Sequence, residues 1–234
     1  QMSLKGIIHC AGILKDGTIL KQDTESFESV FKPKVKGAWY LHELTQDKGL
    51  DHFVLFSSIT SQIGSGGQAN YAAANGFMDE LVNYRRQLGL TGLSINWGAW
   101  SEVGMALKSS ERHSQMGIDS LSVEEGLSAL RLLMGPDQQP KQQSVMSVNW
   151  QKLSSFMSIK PQYLEDCFAG LKENRITRGI LSKKLKTLGE SEALQLIQET
   201  LAQELSRVLQ IQDYRQIDLN KGFFEMGLDS LMAL

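Results

Sequence analysis

The residues of this chain whose types and spacing could do chemistry are Ser58, Tyr71 and Asn75, in the run FVLFSSITSQIGSGGQANYAAAN. Ser58 ends an apolar segment with the composition of a strand, and Tyr71 follows thirteen residues later, near the start of a predicted helix. Asn75 comes four residues after Tyr71, so the two share a helix face. A tyrosine hydroxyl beside a serine hydroxyl at a strand end is suited to giving a proton to a carbonyl oxygen.

The elements that must position these residues alternate between strand and helix. Apolar segments typical of buried parallel strands are LKGIIHCAG, DHFVLFSS and LTGLSINWGAW. Amphipathic helices are predicted between them, in SFESVFKPKVKGAWYLHELTQ and GQANYAAANGFMDELVNYRRQLG. Pro33 should start or kink the first helix, and Gly89 should end the second. This order predicts an α/β fold with a Rossmann-like, doubly wound parallel sheet. A further helix is expected at 122–134 and a last strand in SVMSVNW.

The composition favours a globular protein without nucleic acid or membrane as a partner. The 234 residues are 41% hydrophobic and 21% charged, and the net charge is -2. No apolar run reaches the roughly 18 residues that span a bilayer. The two cysteines, Cys10 and Cys167, are far apart, which predicts a reduced, cytoplasmic protein and no metal site.

The composition changes near residue 170, which predicts a second region. Residues 1–168 form the predicted α/β domain, and the basic, polar residues 169–190 form a predicted linker. An amphipathic helix should follow from Ser191, its predicted N-cap, in the region 191–234. A second helix should open at Asp229 and Ser230 and is cut off at Leu234. So short a helical region is expected to pack poorly by itself.

Several motifs in order resemble one known family. HCAG after a strand, PKVKGAWYLHELT, the SS-(x12)-YAAAN block and INWGAW are similar to the ketoreductase domain of modular polyketide synthases, a branch of the short-chain dehydrogenase/reductases. FFEMGLDSLMAL resembles the start of an acyl carrier protein around its GxDSL motif. The resemblance covers about residues 1–168 and 191–234. It implies NADPH-dependent reduction of a carrier-bound β-ketoacyl thioester to a β-hydroxyacyl thioester, with the other synthase domains as partners.

The resemblance gives each catalytic residue a role. Tyr71 would act as general acid, with its pKa lowered from near ~10 by a neighbouring ammonium. The family's lysine corresponds to Lys34 in the PKV run. Ser58 would bind the carbonyl oxygen as a second donor. Asn75 would tether Lys34 or a proton-relay water.

The sequence lacks the GxGxxG fingerprint that holds the cofactor pyrophosphate in this fold. The chain is therefore expected to begin at the fourth strand, without the first βαβ units, and to bind NADPH poorly by itself. The resemblance leaves six residues for the nicotinamide side: His9, Ala11, Gly12, Asn96, Trp97 and Gly98. His9 could instead be an acid or base. The glycines 64, 66 and 67 could cradle a phosphate or simply shape the floor of a substrate cleft.

Four residues are expected to control substrate binding and stereochemistry: Asp16, Ile63, Gln68 and Met105. Asp16 corresponds to the last aspartate of a motif in ketoreductases that make the D-hydroxyl (B-type), and Ile63 replaces the tryptophan of the L-hydroxyl type. Lys15 and Gly66 depart from the B-type pattern. Asp16 is also a common type of turn residue before a glycine. Met105 lies in a polar segment that resembles a substrate lid or is a plain surface loop.

Ser230, at the predicted helix opening in GLDSL, is the expected attachment point of 4'-phosphopantetheine. A plain N-cap serine is the alternative. For the whole chain, the alternatives are a non-catalytic scaffold that only tethers acyl chains and a reductase of a fatty-acid-type synthase. A role as an α-carbon epimerase also stays open.

Overall fold

The computed structural model of the chain describes residues 3–102, 104–105, 114, 116–135, 141–157, 161–169, 171, 184–208, 213–218, 221–222 and 225–226. Contacts divide the chain into two compact units, Gln1–Leu171 and Lys172–Leu234. Within these ranges, no helix combines the length and apolarity that crossing a bilayer requires.

A four-stranded parallel sheet forms the centre of the first unit, with the strand order β1-β2-β3-β5. Its strands are β1 (Gly6–His9), β2 (His52–Ser58), β3 (Leu93–Trp97) and β5 (Gln142–Val145). A separate antiparallel pair joins β4 (Ile118–Asp119) to β6 (Ser147–Val148). The parallel pairing confirms the predicted α/β sheet.

Helices cover both faces of this sheet. They are α1 (Thr24–Phe31), α2 (Gly37–Glu43), α3 (Thr60–Ile63), α4 (Ala69–Gln87), α5 (Val123–Leu133), α6 (Trp150–Phe156) and α7 (Glu165–Phe168), the last preceded by a 3₁₀ turn at Gln162–Leu164. A π-helical turn, Lys32–Lys36, joins α1 to α2. The predicted interruption at Pro33 takes this form because proline has no N–H for the helical ladder. Gly89, at φ 75°, ends α4 as predicted.

The core explains why β2 is apolar along its whole length. Phe53 and Leu55 face α2 and α4, where they pack with Ala38, Met78, Leu81 and Val82. Val54 points the other way and packs with Ile95, Trp97, Leu121 and the inner side of α5. A fully buried side chain of this kind contributes about 1.5–3 kcal/mol. Burial of both faces fixes the strand register and hence the position of Ser58 at the strand end.

The second unit contains α8 (Glu190–Val208) and a 3₁₀ turn at Tyr214–Gln216. The helix already includes Ser191, so the predicted N-cap at that residue is wrong; the Glu192 carboxylate accepts the Gly189 N–H at this end instead. Leu205 and Ile217 form a small apolar cluster with Met226. Ser230 and most of the predicted linker lie outside the described residues.

Candidate active site

The carboxyl ends of the parallel strands meet at one edge of the sheet. His9 ends β1, Ser58 ends β2, and Trp97 ends β3 directly opposite Ser58. In open parallel sheets, ligands bind outside this edge. The helix α4 starts beside the same edge, so its first turns carry Tyr71 and Asn75 to the end of β2.

Tyr71 is a buried phenol with 9% of its surface exposed. Burial raises the pKa of its hydroxyl, while hydrogen-bonding interactions with the Asn75 and Ser58 side chains lower it and the Asp16 carboxylate raises it further. The net pKa is raised, whereas the sequence predicted a lowered one, because burial outweighs the hydrogen bonds. The hydroxyl therefore carries its proton at neutral pH, as a proton donor must.

Lys34 is a buried ammonium beside this phenol. Only 2% of the residue is exposed, and its Nζ lies 5.1 Å from the centre of the Tyr71 ring. Nζ donates a hydrogen bond to the Phe56 carbonyl at 3.1 Å. Burial lowers the pKa of Lys34 to about 8, against the opposing effects of Asp79 and Cys10. The π-helical turn places Lys34 so that its side chain reaches the Phe56 carbonyl near the end of β2.

Asn75 is fully buried one turn after Tyr71. Its Nδ2 donates to the Tyr71 carbonyl at 2.8 Å, and its Oδ1 has no hydrogen-bond partner among the described residues. Since this oxygen is the atom that would accept from the Lys34 ammonium, the direct Asn75–Lys34 tether is not made in this structure. The free Oδ1 is instead an acceptor of the kind that a relay water requires. The structure thus brings together Lys34, Ser58, Tyr71 and Asn75.

His9 and Gly12, two of the residues predicted to bind the cofactor, line the same region. The His9 Nε2 hydrogen-bonds the Pro33 carbonyl at 3.0 Å, and burial lowers the pKa of its ring. Its ring therefore links β1 to the π-helical turn that carries Lys34. A Cβ on Gly12 would stand 2.8 Å from the Lys34 Cε, so glycine is needed for this close approach. Ala11, between them, is exposed.

Asn96, Trp97 and Gly98 lie inside the domain. The Asn96 side chain is 0% exposed and accepts a hydrogen bond from Gln142 at 3.0 Å. Trp97 is 5% exposed and packs on Trp100, with ring centres 5.0 Å apart. Neither side chain presents a surface to a cofactor, because β3 lies between two strands and both of its faces are covered. The side chains of Asn96 and Trp97 are covered by protein, and the prediction that residues 96–98 line the nicotinamide side stays a prediction about their backbone.

The residues expected to control stereochemistry fall into two groups. Gln68 donates from Nε2 to the Asp16 Oδ2 at 3.0 Å. The Met105 Cε lies 3.4 Å from the point where a Cβ on Gly12 would stand. These three residues lie near Tyr71 and Lys34. Ile63 instead joins an apolar cluster with Ile59, Ile118 and Leu153, so it lies against the core.

The glycine turn before α4 supports the loop that carries Asp16. The Gly67 carbonyl accepts hydrogen bonds from the Gly17 N–H at 2.9 Å and the Gln22 amide at 3.2 Å. This carbonyl faces another loop of the protein, which favours the role in shaping the cleft over a phosphate cradle. No cluster of metal-ligating side chains occurs among the described residues.

Sequence reasoning missed two buried polar residues of α4. Asn70 bonds the Lys15 carbonyl at 2.9 Å and accepts the Tyr71 N–H at 2.7 Å, so it ties the Asp16 loop to the helix start. Asp79 accepts hydrogen bonds from Ser61, Ser94 and Asn96. Its position, eight residues after Tyr71 and four after Asn75, placed it on their helix face and was the available signal.

Solved structures and family models agree on the family of the first unit. The first ketoreductase of the tylosin polyketide synthase is 40% identical, with a TM-score of 0.61 over 64% of this chain and 33% of its own. A-type ketoreductases from a modular polyketide synthase give 36% identity and a TM-score of 0.64, over 69% of this chain and 34% of theirs. Residues 1–102 match the family model of the KR domain. Residues 1–102 thus carry a KR domain similar to those of polyketide synthases.

The ketoreductase region is followed by a carrier region, because residues 199–234 match the family model of the phosphopantetheine attachment site. The spectinabilin polyketide synthase system protein NorB of Streptomyces orinoci is 32% identical over 99% of this chain and 11% of its own length. Mycoketide-CoA synthase of Mycobacterium tuberculosis is 30% identical over 100% of this chain and 6% of its own. The chain thus spans a small part of its curated relatives.

Proposed function

We propose that this chain contributes the proton-donating site for NADPH-dependent reduction of a β-ketoacyl thioester held on a carrier protein, within a polyketide synthase. The observation that carries the proposal is the buried set formed by Tyr71, Ser58 and Lys34. A protonated phenol, a serine hydroxyl and a buried ammonium converge at the edge of the sheet where ligands bind.

The residues of the chain would act on the oxygen of the substrate carbonyl. The Ser58 hydroxyl donates a hydrogen bond to the ketone oxygen, and Tyr71 transfers its proton as negative charge develops there. Lys34 stabilises the phenolate left behind, and the relay water at Asn75 Oδ1 returns a proton to it. Bound NADPH would supply the hydride to the carbonyl carbon.

The residues present fit a nicotinamide cofactor. Gly12 has no side chain, so the Lys34 stem can run along this turn, where a Cβ would stand 2.8 Å from its Cε, and the ammonium is held beside the turn predicted to line the nicotinamide. The Lys34 ammonium has a single hydrogen-bond acceptor within the described part of the chain, so it retains donors for such a ligand. His9 would hold the wall of this space through Pro33.

The decisive test replaces Tyr71 with Phe in the full-length protein and measures reduction of a β-ketoacyl thioester. We expect a loss of at least a hundredfold, since a general acid is worth about 10²–10⁴ in rate. Tyr84→Phe, a partly exposed tyrosine later in the same helix, is the matched control. Unchanged reduction by the Tyr71 variant would reject the enzyme and favour a scaffold that only tethers acyl chains.

The product is proposed to have the D-hydroxyl configuration of B-type ketoreductases. The Asp16–Gln68 hydrogen bond, which joins two loops beside Tyr71, supports a role for this pair in orienting the substrate. Chiral analysis of the β-hydroxyacyl product of the full-length protein tests the assignment. An L-hydroxyl product would contradict it.

The carrier region is proposed to bear 4'-phosphopantetheine on Ser230, which would hold the acyl chain. The match of residues 199–234 to the attachment-site family supports this proposal. Incubation with a phosphopantetheinyl transferase and coenzyme A should add the arm to the peptide that contains Ser230. If a Ser230→Ala variant were still modified, the attachment site would be a different residue.

A further inference from the structure

We propose that Asp79 is a positioning residue of the reductase site, whose carboxylate fixes the end of β2 that carries Ser58 and supplies a negative charge to the surroundings of Lys34. The inference rests on the proposed reductase function. Asp79 does not face the cleft: it is 4% exposed and lies two turns into α4 beyond Tyr71.

The Asp79 carboxylate is held by three donors from two other elements. Ser94 donates to Oδ1 at 2.5 Å, while Ser61 and Asn96 donate to Oδ2 at 2.7 and 2.8 Å. A buried ionised carboxylate accepts hydrogen bonds only, and three neutral donors satisfy it without an ion pair. The Asp79 carboxylate is thus held by hydrogen bonds inside the domain.

These donors connect the carboxylate to both sides of the catalytic set. The Asn96 amide also lies 3.1 Å from the Ser57 hydroxyl, which donates to the Asn75 carbonyl at 3.3 Å. The Gln142 amide bonds the Asn96 oxygen and so fixes which end of the Asn96 amide faces Asp79. This chain of bonds runs from Asp79 across the end of β2 to the helix turn of Asn75.

A second connection reaches the catalytic serine directly. The Ser61 hydroxyl lies 2.7 Å from the Asp79 Oδ2 and 2.9 Å from the Ser58 carbonyl. A hydroxyl has one proton, and the ionised carboxylate is the stronger acceptor. Removal of the Asp79 charge would therefore free this proton for the Ser58 carbonyl and change the strand end that aims the Ser58 hydroxyl.

The electrostatic role follows from the groups around Lys34. The ionisable groups that act on it are Asp79 and Tyr71 from α4, with His9 and Cys10 from the end of β1. The pKa values of Tyr71 and Cys10 are raised and that of His9 is lowered, so all three groups are uncharged at pH 7. The negative charge that opposes the cost of burying the ammonium is therefore that of Asp79. Burial lowers the pKa of Lys34 to about 8, and the Asp79 carboxylate opposes this shift.

The experiment compares Asp79→Asn, Asp79→Glu and Ser94→Ala in the full-length protein. The first readout is the pH profile of β-ketoacyl reduction. Asp79→Asn should move the alkaline midpoint down by about one pH unit, because Lys34 loses its opposite charge. Asp79→Glu keeps the charge, and Ser94→Ala removes one hydrogen bond but no charge, so both should keep the wild-type midpoint. An unmoved midpoint in Asp79→Asn, or an equal movement in Ser94→Ala, would overturn the electrostatic role.

The second readout is hydrogen exchange of the peptide covering residues 56–61, measured by mass spectrometry. It does not depend on reduction, so it separates a failure of this inference from a failure of the proposed function. Exchange should rise several-fold in Asp79→Asn and in Asp79→Glu, whose longer side chain displaces the three donors. If Asp79→Asn does not fold, Asp79→Glu carries the test. Unchanged exchange in the folded variants would overturn the positioning role.

Discussion

Lys34 and Arg85 are both buried cations, and the contrast between them separates chemistry from architecture. Lys34 is 2% exposed and Arg85 is 1% exposed. Arg85 donates from Nε to the Thr91 carbonyl at 2.9 Å and from Nη1 to the His42 Nδ1 at 3.0 Å. Its guanidinium also lies 3.7 Å from the centre of the Phe53 ring. Among the residues that the structure describes, the Lys34 ammonium has one hydrogen bond, to the Phe56 carbonyl, and lies beside the Tyr71 ring.

The difference in partners corresponds to a difference in titration. Burial lowers the pKa of Arg85 to about 10 and that of Lys34 to about 8. Arg85 stays charged at neutral pH and holds the end of α4 to the loop before β3. Lys34 titrates close to neutral pH and retains unused donors next to a proton-donating phenol. A buried cation with few partners and a perturbed pKa is typical of a functional site.

Lys34→Met is the change with the largest expected effect, and it should separate activity from stability. Reduction by the full-length protein should fall at least a hundredfold, since the phenolate of Tyr71 loses its stabilising charge. Burial of the ammonium costs about 3 kcal/mol, because each unit of pKa shift is worth about 1.4 kcal/mol. Lys34→Met removes this cost, but it also removes the hydrogen bond to the Phe56 carbonyl, and this loss offsets part of the gain in stability. Urea unfolding should therefore show a stabilisation of about 1–2 kcal/mol, and a destabilised variant would contradict this account.

Arg85→Met should give the opposite pattern. The change removes the donors to the Thr91 carbonyl and to His42 and leaves buried acceptors without partners. We expect a loss of about 3 kcal/mol in the free energy of unfolding, with little change in reduction per folded molecule. Arg131→Met, which changes an exposed arginine of α5, is a control for the loss of a charge. If reduction by Arg85→Met fell by more than its folded fraction falls, the distinction between the two cations would be lost.

The sequence predicted the four residues that we propose as catalytic because they lie in short, local motifs. Ser58, Tyr71 and Asn75 are fixed by one strand end and one helix start, and the Lys34 motif lies on the preceding helix. The parallel sheet was also predictable, since buried parallel strands are apolar throughout. These predictions need only the periodicity of the apolar residues and the order of the motifs along the chain.

The roles of Asn96 and Asp79 were not predictable in the same way. Asn96 follows the pattern of a strand-end residue, yet its side chain points toward α4 because of the register in which it pairs with Ser57. Asp79 reads as an ordinary polar position of an amphipathic helix. Only the packing of α4 on β3 reveals that three donors surround its carboxylate. Contacts between distant segments decide such roles.

The smallest expected effect is the pH dependence of stability, which tests the Lys34 side of the contrast alone. The pKa of Lys34 is about 8 in the folded protein and 10.5 as its ordinary value. Between these two values the unfolded chain binds more protons than the folded one, so stability rises with pH across this window. The cost of the buried charge is complete below pH 8 and absent above pH 10.5. The stability advantage of Lys34→Met should thus be greatest at pH 7, fall as the pH rises through the window and reverse by pH 10.5, where only the lost hydrogen bond to Phe56 remains.

Urea unfolding at intervals from pH 7 to 10.5 measures this difference. Tyrosines and other lysines also titrate in this range, and subtraction of the Lys34→Met curve from the wild-type curve cancels their contribution. Arg85→Met provides the control, because Arg85 retains its charge over most of the window and its curve should run nearly parallel to that of the wild type. A wild-type curve parallel to that of Lys34→Met would mean that Lys34 does not titrate in the window. The chemical distinction between the two buried cations would then rest on position alone.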